Sequence, residues 1–269
     1  MRSCDCGSGF MKKNTYSTTV LGLDLGSRNV KLCIMHGTEI VRTDCIETMT
    51  FYRGCGVRDK DGFRVDLDAI GCPDVGKIVA TGYGRTAVSV SGAGNISELT
   101  AHVLGAKFQT GRGDFTLLDM GGQDYKVMDV AAGRIVDMAT NDKCAASTGR
   151  YLENMAGVLG VSLDELERHY KDPVELSSTC AIFGESEIIG FIVRGEPVER
   201  LAAGINRAVV ERVLPLLDRM GDGLIVMSGG VALNRAVVKI LGDRTGREVI
   251  VVDDPIHNGA IGCCIHALE

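Results

Sequence analysis

The chain has 269 residues, 45% of them hydrophobic, a formal charge of -6 at pH 7 and a pI near 5.5. This length suits two domains of about 100 to 150 residues. The acidic balance excludes the clustered Lys and Arg that nucleic acid or an anionic membrane surface requires, and no apolar run approaches the roughly 18 residues needed to cross a bilayer.

In chain order, residues 1–18 come first. They are polar, carry Cys4 and Cys6, and read as a flexible tail rather than a signal segment, so the protein is expected to be cytoplasmic. Ten Cys without a secretory signal read as reduced thiols or metal ligands rather than a disulfide framework. Eight of them read as tail residues or small buried hydrophobes. Cys33 and Cys45 fall on strands, Cys55 and Cys72 near turns, and Cys263 and Cys264 in a closing helix.

Next comes a repeat. A shift of 95 positions places Asp24 on Asp119, Gly26 on Gly121, Lys31 on Lys126, Ile40 on Ile135 and Val41 on Val136. In each copy a strand (Val20 to Leu25; Phe115 to Met120) meets a glycine turn, and a second strand ends near Gly37 or Gly133. These are duplicated β-hairpins.

Helices dominate the rest. Tyr151, Leu152, Met155, Val158 and Leu159 keep helical spacing, with Gly160 as the stop. Ser162 and Glu165 form a capping box, with Val161 and Leu166 placed for a hydrophobic staple. A third helix begins near Cys180, after Ser177, Ser178 and Thr179, and runs through Ile189 and Ile192 to Gly195. Pro197 opens a long helix with Val198, Leu201, Ile205, Val209, Val213, Leu216 and Met220 on its apolar face, and Pro215 is expected to kink it. Buried strands Leu224 to Met227 and Val249 to Val252 complete an alternating α/β pattern.

The chemistry concentrates in three glycine-bearing turns. The first holds Asp24, Gly26 and Ser27, and Lys31 follows it. The second holds Asp119, Gly121, Gly122 and Gln123. Small residues let backbone N–H groups approach phosphate oxygens, and a carboxylate at the strand end can hold Mg2+ through water. Asp-x-Gly is also an ordinary hairpin end, but two copies at matching positions would clamp one triphosphate. The third turn, Ser228, Gly229 and Gly230 through Asn234, lies between a buried strand and a helix. It reads either as a site for the adenosine end of a nucleotide or as a tight strand-to-helix turn. Asp24 and Asp119 are the candidate Mg2+ ligands or water-orienting groups, and Gln123 is a candidate for orienting the attacking water.

In this order the three turns resemble those of the actin, hexokinase and Hsp70 ATPase superfamily. The resemblance implies an α/β fold of two duplicated RNase H-like domains with an ATP cleft between them. The implied first domain is 19–97 plus 258–269 and the second is 98–257. Within that superfamily, five segments resemble the activators of 2-hydroxyacyl-CoA dehydratases and the ATPase subunits of benzoyl-CoA reductases. They are Gly82-Tyr83-Gly84-Arg85, Glu98-Leu99-Thr100-Ala101-His102, Asp119 through Asp124, Asn141 through Ala146, and Cys180 through Glu187. The similarity runs from about Val20 to the end of the chain.

That resemblance implies a homodimer holding one 4Fe-4S cluster between its subunits, with Cys144 and Cys180 of each chain as ligands. A two-fold axis turns two thiolates into the four such a cluster needs. It further implies ATP-coupled electron transfer from a ferredoxin or flavodoxin donor to a partner iron-sulfur enzyme. Ser147 and Gly184 depart from the family pattern by small swaps. His102 reads as a packed or surface histidine, and Arg85 as a phosphate contact, a partner contact or a turn anchor. The rival readings are a small-molecule (sugar) kinase of the same superfamily and a nucleotide-binding iron-sulfur redox sensor.

Overall fold

The computed structural model describes residues 18–59, 62–66, 68–71, 75–82, 89–90, 92–141, 148–177 and 181–269. The expectations placed on the 1–17 stretch with Cys4 and Cys6, on Cys72, Arg85, Cys144, Ser147, Ser178, Thr179 and Cys180 lie outside those residues.

Strands β1 (Thr19–Leu25), β2 (Asn29–His36) and β3 (Glu39–Glu47) form an antiparallel meander. Helix α1 (Thr48–Cys55) follows, then a small sheet of β4 (Gly56–Asp59), β5 (Gly62–Val65) and β7 (Ser89–Val90) that no sequence signal anticipated. Strands β6 (Lys77–Thr81) and β8 (Ala93–Asn95) extend the main sheet in parallel, giving the order β3-β2-β1-β6-β8. Helix α2 (Glu98–Thr110) leads into the second half.

There the pattern repeats. Strands β9 (Phe115–Met120), β10 (Tyr125–Ala131) and β11 (Arg134–Thr140) form the meander, and β12 (Ile225–Ser228) and β13 (Val249–Val251) add in parallel. The order β11-β10-β9-β12-β13 matches that of the first sheet. The likeness reaches single residues. Asp24 stands opposite Lys31 in one hairpin and Asp119 opposite Lys126 in the other. The outer pair of strands in each meander shifts register at the same place, between Ile34 and Met35 in one and between Asp129 and Val130 in the other. The central strands β1 and β9 are buried along nearly their whole length, because helices cover both sheet faces.

Between β11 and β12 run α3 (Gly149–Leu159), α4 (Leu163–Leu166), α5 (Ala181–Val193) and α6 (Val198–Leu217), followed after β12 by α7 (Arg235–Thr245). The largest core lies here: Tyr151, Met155, Leu201, Ile205 and Val209 pack with Leu118, Val127 and Met227 of the second sheet. Gly160 ends α3 and Gly246 ends α7, each with a positive φ.

Four local expectations change. The helix started by Ser162 is a single turn, and only half of the capping box forms. Ser162 Oγ accepts from the Glu165 N–H at 3.1 Å, but the Glu165 carboxylate turns outward to Arg168 and His169. Pro197 is the cap before α6, with extended backbone, rather than its first turn. Met220 is buried but lies beyond the end of α6, which stops two residues after Pro215. Cys45 is exposed, because β3 is the sheet edge, whereas Cys33, Cys55, Cys263 and Cys264 are buried as expected.

Helix α8 (Asn258–Leu268) closes the chain and packs on both α2 and β1. The approach to α2 is close enough to require glycine: a Cβ on Gly262 would stand 1.8 Å from Ala101 O, and one on Gly105 2.1 Å from Asn258 O.

Candidate functional site

The two hairpin turns carry the first part of the site. Gly26 is half-buried and Ser27 exposed; Gly121 and Gly122 are half-buried and Gln123 exposed. A Cβ on Gly26 would meet Asn29 O at 2.6 Å, so the turn itself demands glycine. Each turn is held by the start of the helix that follows its meander. Thr48 Oγ1 donates to Gly26 O at 2.9 Å, and the Gly149 and Arg150 N–H groups donate to Gly121 O and Gly122 O at 3.0 Å each. The turns also approach one another: a Cβ on Gly122 would be 3.6 Å from Arg28 Cβ, and Arg28 pairs with Glu153 of α3 at 3.4 Å.

The hairpin acids are buried, Asp24 at 3% exposure and Asp119 at 4%. Lys31 Nζ donates to Asp24 Oδ2 at 3.0 Å. Burial works against the Lys31 charge, but Asp24 outweighs it and raises the lysine above its usual range. Lys126 is also held charged above its usual range, again against burial, yet it bonds Asp124 at 2.7 Å and Glu98 at 2.9 Å rather than Asp119.

Asp119 is instead held by His102 Nδ1 at 3.2 Å and Ser228 Oγ at 2.7 Å, both on the same oxygen, Oδ1. Burial alone would raise its pKa, but His102 and then Lys126 keep the carboxyl well below the usual carboxylate range. His102 is held above the usual histidine range, again against burial, chiefly by Asp119 and then by Asp24. Sequence reasoning treated His102 as a packed or surface residue. It is packed, at 6% exposure, but its ring meets Asp119, and a Cβ on Gly259 would stand 3.2 Å from His102 Nε2 and 3.3 Å from Asp24 Oδ2.

In the third turn, Gly229 has φ +83°, and its position is set by contact with the second hairpin: a Cβ there would lie 2.3 Å from Met120 O. Its N–H donates to Pro255 O at 2.9 Å. Gly230 has nothing within 4 Å of where its Cβ would be, so its backbone is open to a ligand. Asn234 caps α7, accepting from the Val237 N–H at 3.0 Å, and donates to Asn206 Oδ1 at 2.9 Å, so both ends of its side chain are engaged within the protein. An open groove of about 590 Å³ borders this turn, walled by Ala232, Leu233, Val238 and Val251 with Glu167, Arg235 and Lys239 at its rim.

Sequence reasoning also missed a counterpart of this turn. Thr81 ends β6 beside Asp24 as Ser228 ends β12 beside Asp119. Gly82, at φ +91°, presses on Leu25 O as Gly229 presses on Met120 O, with a virtual Cβ distance of 2.7 Å. The signal was present, since both turns follow apolar strands with Thr-Gly or Ser-Gly. The α3 to α6 segment separates the second pair by a longer stretch than the first, so a constant shift of 95 positions could not align them.

Two sheets of identical order, each presenting a buried acid at a hairpin turn, define a two-domain ATPase fold of the actin and hexokinase type. Residues 21–267 match the BadF/BadG/BcrA/BcrD ATPase family, and the chain belongs to it. It is 37% identical over 256 residues to the 2-hydroxyisocaproyl-CoA dehydratase activator of Clostridioides difficile, covering 93% of this chain and 94% of that one. It is 36% identical over 258 residues to the (R)-2-hydroxyglutaryl-CoA dehydratase activating ATPase of Acidaminococcus fermentans, covering 94% and 98%. Among solved structures it resembles the activator of the 2-hydroxyisocaproyl-CoA dehydratase from Clostridium difficile with bound ADPNP, at a TM-score of 0.79 and 33% identity, covering 93% of this chain and 94% of that one.

Proposed function

We propose that the chain is an ATP-driven activator: a homodimer that binds ATP between its two hairpin domains and uses it to send a low-potential electron to a partner iron-sulfur enzyme. The observation that carries this reading is the pair of matching turns, each with a buried acid, that approach one another at Gly122 and Arg28. A triphosphate seated there would meet the backbone of Gly26, Ser27, Gly121, Gly122 and Gln123, while Lys31 stays charged beside it. The groove lined by Ala232, Leu233, Val238 and Val251, at the far end of the third turn, suits the adenosine end. A division into 19–97 plus 258–269 and 98–257 is supported by the packing of α8 on β1, with α2 at the boundary packing on α8 from the other part.

Mg2+ fits the residues present. The described residues contain no cluster of three or more metal-ligating side chains, and Mg2+ typically keeps several waters and takes only one or two carboxylates besides phosphate. Asp24 and Asp119 would be those carboxylates. Gln123, exposed at its turn, is free of the core and would orient water.

The 4Fe-4S part of the reading rests on the motifs around Cys144 and Cys180 and on the kinship with dehydratase activators. Helix α5 begins at Ala181, directly after Cys180, and α3 begins at Gly149, shortly after Cys144. A cluster held by those thiolates in two chains would supply one-electron transfer. The α3 end that follows Cys144 is also the end hydrogen-bonded to Gly121 and Gly122, so a shift of the phosphate turn would move it. A ferredoxin or flavodoxin is the expected donor, and a dehydratase, a benzoyl-CoA reductase-like enzyme or a double-cubane cluster protein the expected acceptor.

The test is an anaerobic preparation assayed for iron, for ATP hydrolysis and for nucleotide-dependent reduction of an acceptor. Four iron per pair of chains, with Cys144→Ser abolishing iron and electron delivery while leaving ATP turnover, is the expected result. A phosphorylated sugar formed by iron-free protein would replace this reading with a kinase, and unchanged electron delivery by Cys144→Ser would end it.

A further inference from the structure

Helix α2 presents Glu98, His102, Gly105 and Gln109 at a spacing that brings them to one face. Every one of them meets the site or its supports. Glu98 Oε1 accepts from Lys126, and His102 Nδ1 reaches Asp119. Gly105 makes room for the Asn258 backbone, and Gln109 Nε2 donates to Asn258 Oδ1 at 2.9 Å. Asn258 in turn donates its Nδ2 to the His102 carbonyl, 2.9 Å away, and stands 3.4 Å from His102 Nδ1, which lies closer to Asp119 Oδ1 at 3.2 Å.

The arrangement on Asp119 is one-sided. Ser228 Oγ donates to Oδ1 and His102 Nδ1 pairs with the same oxygen at 3.2 Å, and among the described residues Oδ2 receives no hydrogen bond. Two partners on one carboxylate oxygen fix the carboxylate rotamer and leave the other oxygen as the one available to a cation or a water. Lys126, the cross-strand neighbour that could have bonded Asp119, is drawn away by Glu98 of the same α2 face.

We infer that His102 is a positioning residue of the ATPase site, holding Asp119 by Oδ1 so that Oδ2 stays free for the nucleotide-bound cation or the attacking water. It works through Asp119 and touches no reacting atom. This rests on the ATP-driven reading above, and the two can be tested apart.

The experiment compares His102→Asn, His102→Gln and His102→Ala in the full chain. The Asn amide nitrogen sits near the place of Nδ1, whereas the Gln amide reaches toward the place of Nε2. Loss of a group that orients a metal-ligand residue costs about 10- to 100-fold in activity or metal affinity. His102→Ala and His102→Gln should therefore lower kcat for Mg·ATP hydrolysis by about tenfold or more, with KM for ATP changed by less than about threefold, and His102→Asn should recover most of the loss. Equal impairment of Asn and Ala variants, or native kcat in all three, overturns the inference. The second readout needs neither nucleotide nor magnesium: a double-mutant cycle of His102→Ala with Asp119→Ala in urea. Unfolding constants coupled by about fivefold or more support the contact, and additive effects overturn it. Absence of ATP hydrolysis by the unaltered protein would count against the proposed function, while the cycle still decides on His102.

Discussion

Asp24 and Lys31 face each other across β1 and β2 and bond at 3.0 Å, whereas Asp119 and Lys126, at the matching places of the second hairpin, stand opposite without bonding. The duplicated pair has therefore diverged in use. One lysine neutralises its acid directly; the other is drawn aside and leaves its acid to His102 and Ser228.

Lys31→Met should destabilise the protein by about 1–3 kcal/mol, because Asp24 would keep its buried charge without the partner that satisfies it. The lysine is raised above its usual range, so its charge contributes fully at neutral pH and up to its usual value, and that contribution is lost only as pH climbs through the raised value. Urea unfolding at pH 7 measures it. A midpoint unchanged from the unaltered protein would mean that Asp24 does not depend on Lys31.

Gly262→Ala and Gly157→Ala should move stability in opposite directions. The first drives a methyl group to 1.8 Å from Ala101 O at the crossing of α2 and α8, a backbone clash that costs about 3 kcal/mol or more. The second has nothing within 4 Å of its new methyl group and replaces a helical glycine, gaining about 0.5–1 kcal/mol. Thermal unfolding of the two variants side by side checks the sign of each.

Asn206 ties the helical segment to the third turn. Its Nδ2 donates to Leu166 O and His169 O, both at 2.8 Å, and its Oδ1 accepts from Asn234. Asn206→Leu would strand three buried polar groups, at about 1–3 kcal/mol for each one that water cannot reach. A loss of at least 2 kcal/mol is expected, and a neutral result would show that water fills the gap.

Thiol labelling should divide the described cysteines by position. Burial pushes the Cys263 thiol up, and the Cys33 contact together with burial pushes Cys264 up, so neither supplies thiolate at pH 8. Cys33 is as fully enclosed. Cys45 is exposed and should react first with iodoacetamide, even though burial of part of its side chain raises its pKa. Mass-spectrometric mapping of native protein that found Cys263 or Cys264 alkylated before Cys45 would contradict this packing.

Much of the fold was legible because both kinds of signal were strong. The hairpins could be found from a repeat at constant spacing, and α3, α5 and α6 from apolar periodicity with glycine or proline at their ends. The small sheet of β4, β5 and β7 was not legible, since its strands are two to four residues long and the partner that completes it, β7, lies more than twenty residues beyond β5. Asn234 was singled out for its place in a glycine turn; its cap on α7 through Val237 is local, but its hydrogen bond to Asn206 became visible only once α6 lay beside α7. His102 shows the same limit. One histidine on an ordinary helix carries no sign of the carboxylate it will meet.

By itself, then, the sequence determined the two hairpins, the acids at their ends and the main helices of the second half, because those depend on residues close together in the chain. Only the tertiary structure decided which donors each acid receives. Asp119 takes His102 from α2 and Ser228 from β12, and the ring of His102 reaches the neighbourhood of Asp24 over Gly259 of α8. Ser228 is 109 positions from Asp119 and is brought to it by the pairing of β12 with β9, while His102, on a separate element, reaches it through the packing of α2 against β9 and α8.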